Sequence, residues 1–184
     1  IWHRNVLSIG LAGGFIDPLE STAIHLIHRG MEFFFRLMPD LDCDSALADE
    51  YNRRMTLDYE EIRAFIILHY ALTRRGDTAF WRECRDMVLP EGLQHKLDVF
   101  RANGSVVEGL EPLFREVSWY AVLNGMGVRP RSYNPLVERI DFTGMPTEMD
   151  QAAIILERFV TGLPTHQDFI RDHCAAPPLG AIPA

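Results

Sequence analysis

The feature that most constrains this chain is the spacing of its apolar residues after residue 20. Ile24, Ile27, Met31, Phe34 and Met38 recur every three or four positions, the period of one helix face, until Pro39 stops the run. Residues 45–75 repeat the pattern, with Ile62, Phe65, Ile66 and Tyr70 on a dry face and Asp49/Arg53 and Glu50/Arg54 as ion pairs on a wet one. Gly76 then ends that helix and Asp77 caps the next, which also gives the tripeptide Arg75-Gly76-Asp77 a plain reading as helix punctuation. Further helices are expected over residues 78–87, 91–102, 113–124 and 149–162, with a last one over 165–174, and turns at Asn103-Gly104 and residues 125–130. Upstream, Val6-Leu7-Ser8-Ile9 ending at Gly10 reads as a short buried strand. The fold class is therefore mainly α, a helical chain attached to the end of a sheet, and no internal repeat or low-complexity segment interrupts it.

Composition narrows the function. No stretch of the 184 residues approaches the ~18 consecutive apolar positions of a membrane span, so no membrane partner is expected. A net charge of -8 opposes a nucleic-acid partner. The only lysine is Lys96, in the segment GLQHKLDVF, where a solvated surface charge is the expectation. Cys43, Cys84 and Cys174 are odd in number and form no C-x-x-C pair, which points to the reducing cytoplasm. The N-terminus carries no secretory signal pattern, and Ile1 reads as the interior of a longer chain. His25 and His28 are a helical turn apart but have no third metal ligand at a recognisable spacing, and no glycine-x-serine-x-glycine elbow is present. Phe33 to Phe35 and Trp119-Tyr120 are expected in the core.

The decapeptide GGFIDPLEST, residues 13–22, supports two readings. In one, Asp17 is an N-cap acid, Pro18 the first helical residue and Glu20 the acid three positions on, and the segment merely starts a helix. In the other, Gly13-Gly14 let a flat or charged group approach the backbone. Free amides around Thr22 and Ala23, at the positive end of a helix dipole, would then hold an anion.

The run Asn5-Val6-Leu7-Ser8-Ile9-Gly10-Leu11-Ala12-Gly13-Gly14-Phe15-Ile16-Asp17-Pro18-Leu19-Glu20-Ser21-Thr22-Ala23-Ile24-His25 resembles a segment of flavin-dependent halogenases, the tryptophan halogenase family. There the sheet of the FAD domain passes into its flavin-facing helix. Weaker matches occur at His69-Tyr70, Phe80-Trp81-Arg82 and Asn124-Gly125-Met126-Gly127. The resemblance implies the C-terminal helical part of an α/β, FAD-dependent monooxygenase-like fold, beginning at the last strand of the FAD domain. Residues 1–40 would end that domain, residues 41–176 would form a helical substrate-side region and residues 177–184 a flexible tail.

In such an enzyme, reduced FAD from a separate flavin reductase and dioxygen convert chloride or bromide into hypohalous acid, which crosses a short tunnel to an aromatic substrate. Thr22 and Ala23 match the backbone halide site, although many relatives have glycine where this chain has Ala23, a difference that matters only if the turn needs a positive φ. Glu20 matches the active-site glutamate and Ser21 a supporting hydroxyl, and both are the catalytic candidates. Leu11 and Ile24 match backbone contacts to the flavin, with Gly10 and Gly13 giving clearance. The family's dinucleotide fingerprint, its lysine and its Trp-x-Trp-x-Ile-Pro signature do not occur here, so the segment alone is expected to be inactive without the N-terminal half of the same enzyme. Residues 109–116 are short and hold one aromatic where tryptophan-specific members have an aromatic-rich lid, which favours an indole or another electron-rich arene over free tryptophan. A flavin hydroxylase of the same fold and a non-catalytic helical interaction module are the alternatives, and the oligomeric state, a homodimer included, stays open.

Overall fold

The computed structural model describes residues 1–109 and 112–174, so the expected tail at 177–184 lies outside the described residues. Contacts divide the chain into two compact units, Ile1–Asn134 and Pro135–Ala184. Among the described residues no helix is long and apolar enough to cross a membrane.

The first unit opens with an antiparallel hairpin, β1 (Trp2–His3) and β2 (Val6–Leu7), with Trp2 opposite Leu7. This corrects the expected buried strand over residues 6–9: the ladder is two residues long and Val6 is exposed. Asn52 explains the docking of the hairpin. Its side chain accepts from the Trp2 amide and donates to the Trp2 carbonyl, both at 2.8 Å, which satisfies the backbone that a wider sheet would otherwise pair.

Helices follow: α1 (Thr22–Arg36), α2 (Ser45–Ala71), α3 (Ala79–Asp86), α4 (Glu91–Asn103) and α5 (Glu116–Gly125). Asp44 caps α2 by accepting from the Ala46 amide at 2.9 Å. The helix ends at Ala71, short of the expected residue 75, because the Thr73 hydroxyl captures the Arg75 amide and offers the backbone an alternative to the helical ladder. Thr78, not Asp77, caps α3. Asp77 instead pairs with Arg75 at 2.8 Å, while the same guanidinium lies over Trp81. On α2, Arg53 and Arg54 both grip Glu50 at 2.7 and 2.6 Å, so the predicted Asp49/Arg53 pair is replaced by Glu50/Arg53. Helix α4 closes on Gly104, whose left-handed φ of 81° lets its amide reach the Phe100 carbonyl. Helix α5 begins three residues later than expected, after Phe114 has turned inward.

The core gathers Ile62, Phe65, Ile66 and Leu68 of α2 against Leu93, Leu97 and Phe100 of α4 and Trp119 and Leu123 of α5. A smaller cluster joins Trp2, Phe33 and Tyr51. Helix α1 corrects the sequence reading. It buries Leu26, Gly30 and Phe33, whereas Ile24, Ile27, Met31 and Phe35 are exposed, and it ends at Arg36, which leaves the exposed Met38 outside the helix. The helix carries two apolar stripes, and Gly30 decides between them: a Cβ there would sit 3.0 Å from the Tyr51 hydroxyl, so only this face lets α1 approach α2 closely. Tyr120 is also partly exposed, its hydroxyl donating to the Gly104 carbonyl, while its neighbour Trp119 is buried.

The second unit contains a 3-10 turn (Pro135–Arg139), α6 (Met145–Thr161) and α7 (His166–Phe169), which continues as a π-turn over Ile170–Cys174. Helix α6 starts four residues before the expected 149, since Pro146 supplies a favoured first-turn residue.

Candidate active site

The residues between the hairpin and α1 do not form one simple helix start. Gly10–Ala12 and Leu19–Ser21 are separate 3-10 turns. Asp17 does cap locally, accepting from the Leu19 amide at 2.9 Å. Two adjacent residues then leave the helical region altogether: Glu20 has φ 65° and ψ 8°, and Ser21 has φ 55° and ψ 35°. Neither type favours that left-handed conformation, which costs roughly 1–2 kcal/mol per residue. The simple capping-box reading of Glu20 therefore fails: its carboxylate is aimed at α2, not at a helical first turn.

The last turn of α2 meets this kink with two neighbouring side chains. His69 Nε2 lies 3.3 Å from Glu20 Oε1. The Tyr70 hydroxyl donates to Asp17 Oδ2 at 2.9 Å, and that bond, together with burial, raises the phenol above its ordinary pKa. His69 is itself fixed from two sides, by Nδ1 at 2.8 Å from the Phe65 carbonyl and by an edge-on contact with the Phe65 ring at 4.9 Å. Phe65 stacks on Phe114 at 3.9 Å and meets Trp119 edge-on at 5.1 Å, so an aromatic wall stands behind the pair. Of residues 109–116, Phe114 thus contributes to this wall, while Leu110 and Glu111 lie outside the described residues.

On the other side of the kink, α1 begins at Thr22 with amides that have no intrahelical acceptor. The Thr22 hydroxyl is buried without a hydrogen-bond partner. Ala23 lines a small cavity of about 50 Å3 together with Gly10, Leu11 and Ile27. That is room for one or a few water-sized species. Positive φ falls on Glu20 and Ser21 and not on Ala23, so alanine in place of glycine strains nothing at that position. A larger cavity, about 540 Å3, is lined by Gly10, Gly13, Gly14, Tyr59 and Asn52 among others. Burial raises the Tyr59 phenol there. Leu11 and Ile24 are exposed at 77% and 69%, which leaves their apolar side chains uncovered. Glu20 lines neither cavity. The structure thus brings Gly10, Leu11 and Ala23 together around one cavity, puts Gly13 with Gly10 at the second, and turns Glu20 toward α2.

One residue departs from its sequence reading. Lys96 is not a solvated surface charge: its ammonium lies 3.7 Å from Glu61 Oε1 and 4.6 Å over the Trp119 ring. Burial pushes the Glu61 carboxyl above its ordinary range, with the Lys96 charge acting in the opposite direction. His69 and Tyr70 entered the sequence reading only as a supporting match; nothing in their spacing ties them to residues 17 and 20, because the contact is tertiary.

The fold is shared with solved enzymes. The flavin-dependent halogenase Xcc4156 from Xanthomonas campestris is 38% identical, with a TM-score of 0.84 over 96% of this chain and 36% of its own. BrvH, a flavin-dependent halogenase from Brevundimonas sp. BAL3, is 37% identical, with a TM-score of 0.83 over 92% of this chain and 35% of its own. Tryptophan 6-halogenase ThaL from Streptomyces albogriseolus is 32% identical over 149 residues, 73% of this chain and 28% of its own length. The tryptophan halogenase family model matches residues 1–141. The chain belongs to the tryptophan halogenase family, and it spans roughly a third of the length of these relatives.

Proposed function

We propose that this chain is the C-terminal part of a flavin-dependent halogenase and carries its halide turn, its active-site acid and part of its substrate wall. Residues 1–40 would close the FAD-binding domain from its last strand, and residues 41–176 would form the substrate side. The observation that carries the reading is the left-handed pair Glu20-Ser21, which separates a carboxylate facing α2 from the start of α1, where Ala23 lines the small cavity and Thr22 does not. Anion and acid would repel one another on a continuous helical turn. The kink gives each its own environment.

FAD, reduced by a separate reductase, would supply with dioxygen the two-electron oxidation of chloride or bromide. The residues present fit that group: Gly10 and Gly13 line the larger cavity without a side chain, Leu11 and Ile24 offer uncovered apolar surface, and the buried Thr22 hydroxyl has no partner. Thr22 and Ala23 would hold the halide through backbone N–H groups at the positive end of α1. Ser21 supports the turn. Glu20 would orient the hypohalous oxidant and stabilise the cationic ring as the arene gains its carbon–halogen bond, before the ring proton is released to the carboxylate or to water.

An electron-rich arene such as an indole is the substrate class, because residues 109–116 present Phe114 as their one aromatic. The test uses the intact enzyme with reduced FAD and an indole. Product that requires halide, and falls by about 10²–10³ in Glu20→Gln while flavin oxidation continues, is the expected result. Halide-independent oxygenated product would make the enzyme a hydroxylase, and absence of flavin binding would make the region an interaction module.

A further inference from the structure

We infer that His69 is a positioning residue for Glu20: it holds the acid in its left-handed turn and fixes the direction of its carboxylate. The inference rests on the assignment of Glu20 as the active-site acid. His69 Nδ1 lies 2.8 Å from the Phe65 carbonyl, an acceptor only, so Nδ1 carries a proton. Nε2 then faces Glu20 Oε1 at 3.3 Å. Nε2 is therefore the ring nitrogen turned toward the acid. The Phe65 carbonyl thus determines which ring nitrogen faces Glu20.

The surroundings suit positioning. His69 keeps 16% of its side-chain exposure against 41% for Glu20, and its ring is wedged edge-on against Phe65, itself stacked on Phe114. The imidazole has little freedom, whereas Glu20 would have several rotamers without it. Among the described residues His69 is what holds the Glu20 carboxylate, while the neighbouring Asp17 is fixed separately by Tyr70 and the Leu19 amide. A carboxylate preset toward the site of a developing cation needs no reorganisation at the moment of reaction, and holding that preset is the function assigned to His69.

Three substitutions in the intact enzyme separate the roles. His69→Phe keeps the ring against Phe65 and removes both nitrogens. His69→Gln places an amide N–H near the former Nε2 without the ring. Glu20→Gln removes the acid. The expected result for His69→Phe is a 10- to 100-fold loss of halogenation kcat with little change in KM for the arene, and partial recovery in His69→Gln. The double variant Glu20→Gln/His69→Phe is expected to be no slower than Glu20→Gln alone, since His69 acts through the acid. A 15N spectrum of the histidine side chains gives a readout independent of turnover: Glu20→Gln moves the His69 Nε2 resonance, and Asp17→Asn leaves it in place. Wild-type kcat in His69→Phe, or losses that multiply in the double variant, overturns the inference while leaving Glu20 in its role. Full product formation in Glu20→Gln overturns the assignment of Glu20 itself.

Discussion

Ser21 offers the sharpest test of the turn, because two descriptions of it predict opposite orders of stability. Its φ of 55° lies in the left-handed region and its hydroxyl makes no cap hydrogen bond. Replacing Ser21 with Gly removes a conformational penalty of about 1–2 kcal/mol, partly offset by the roughly 0.4–1 kcal/mol that glycine adds in unfolded-chain entropy. Replacing it with Ala removes no strain. The order expected from the structure is therefore Gly above Ser, with Ala level with or below Ser, and Gly ahead of Ala by about 0.5–1 kcal/mol. Were residues 17–22 an ordinary helix start, Ser21 would sit inside the first turn and helix propensity would put Ala ahead of Gly by about 1 kcal/mol. The two orders differ by about 1.5–2 kcal/mol, which thermal or urea unfolding of the intact protein resolves readily. Should Ser21→Ala unfold later than Ser21→Gly, the left-handed turn is not the solution structure and the separation of acid and amides goes with it.

Three further outcomes are expected. Thr22→Val, which replaces the partnerless buried hydroxyl with a methyl of similar shape, stabilises by about 1 kcal/mol and leaves halide dependence intact, since the proposed contacts are backbone; a loss of stability would reveal a partner for that hydroxyl. Gly30→Ala gains about 1 kcal/mol of helix propensity but loses about 1–3 kcal/mol to the Tyr51 hydroxyl, for a net loss of up to about 2 kcal/mol that Tyr51→Phe should reverse in melting experiments; a Gly30→Ala protein more stable than wild type would refute the close α1–α2 approach. Hydrogen bonds from Arg53 and then Arg54 hold the Glu50 carboxyl at about 2. Because this pKa is depressed, its stabilising contribution is complete above the ordinary carboxylate range and is lost as pH falls through about 2. A carboxyl 13C titration midpoint for Glu50 near 4 would contradict it.

The helices were legible because their signals are local: α2 and α4 repeat their apolar residues at helical spacing, and Gly104 marks an end that the structure respects, whereas α1 already stops at Arg36, ahead of Met38 and Pro39. The face that α1 buries was not legible. Ile24, Ile27 and Met31 form as good a stripe as Leu26, Gly30 and Phe33, and only the fit of Gly30 against Tyr51 chooses between them. Lys96 was misread for a related reason: a lysine in an amphipathic segment looks solvated until α2 and α5 bring Glu61 and Trp119 beneath it. At the turn, residue types gave the candidates and not the conformation. Asp-Pro-x-Glu is a good helix start, and what drives Glu20 and Ser21 out of the helical region comes from α2, far along the chain.

That dependence carries its own consequence for the candidate site. Two left-handed residues cost about 2–4 kcal/mol together, whereas partly exposed polar contacts such as Glu20–His69 each return about 1 kcal/mol or less. The remainder has to come from apolar anchors on either side of the kink, and the structure supplies them: Ile16 and Leu19 pack against the main core before it, and Leu26 is buried after it. Leu19 is the anchor nearest Glu20, and truncating it to Ala removes up to about 2 kcal/mol of burial from a segment already under strain. The expected response is a local one. Leu19→Ala should speed amide exchange across residues 16–22, lower halogenation kcat and leave α2 and α4 protected, although no reacting group has been changed. If exchange at the turn stays at the wild-type rate while the protein as a whole loses stability, the strain is distributed through the fold, and the aim of Glu20 does not depend on these anchors.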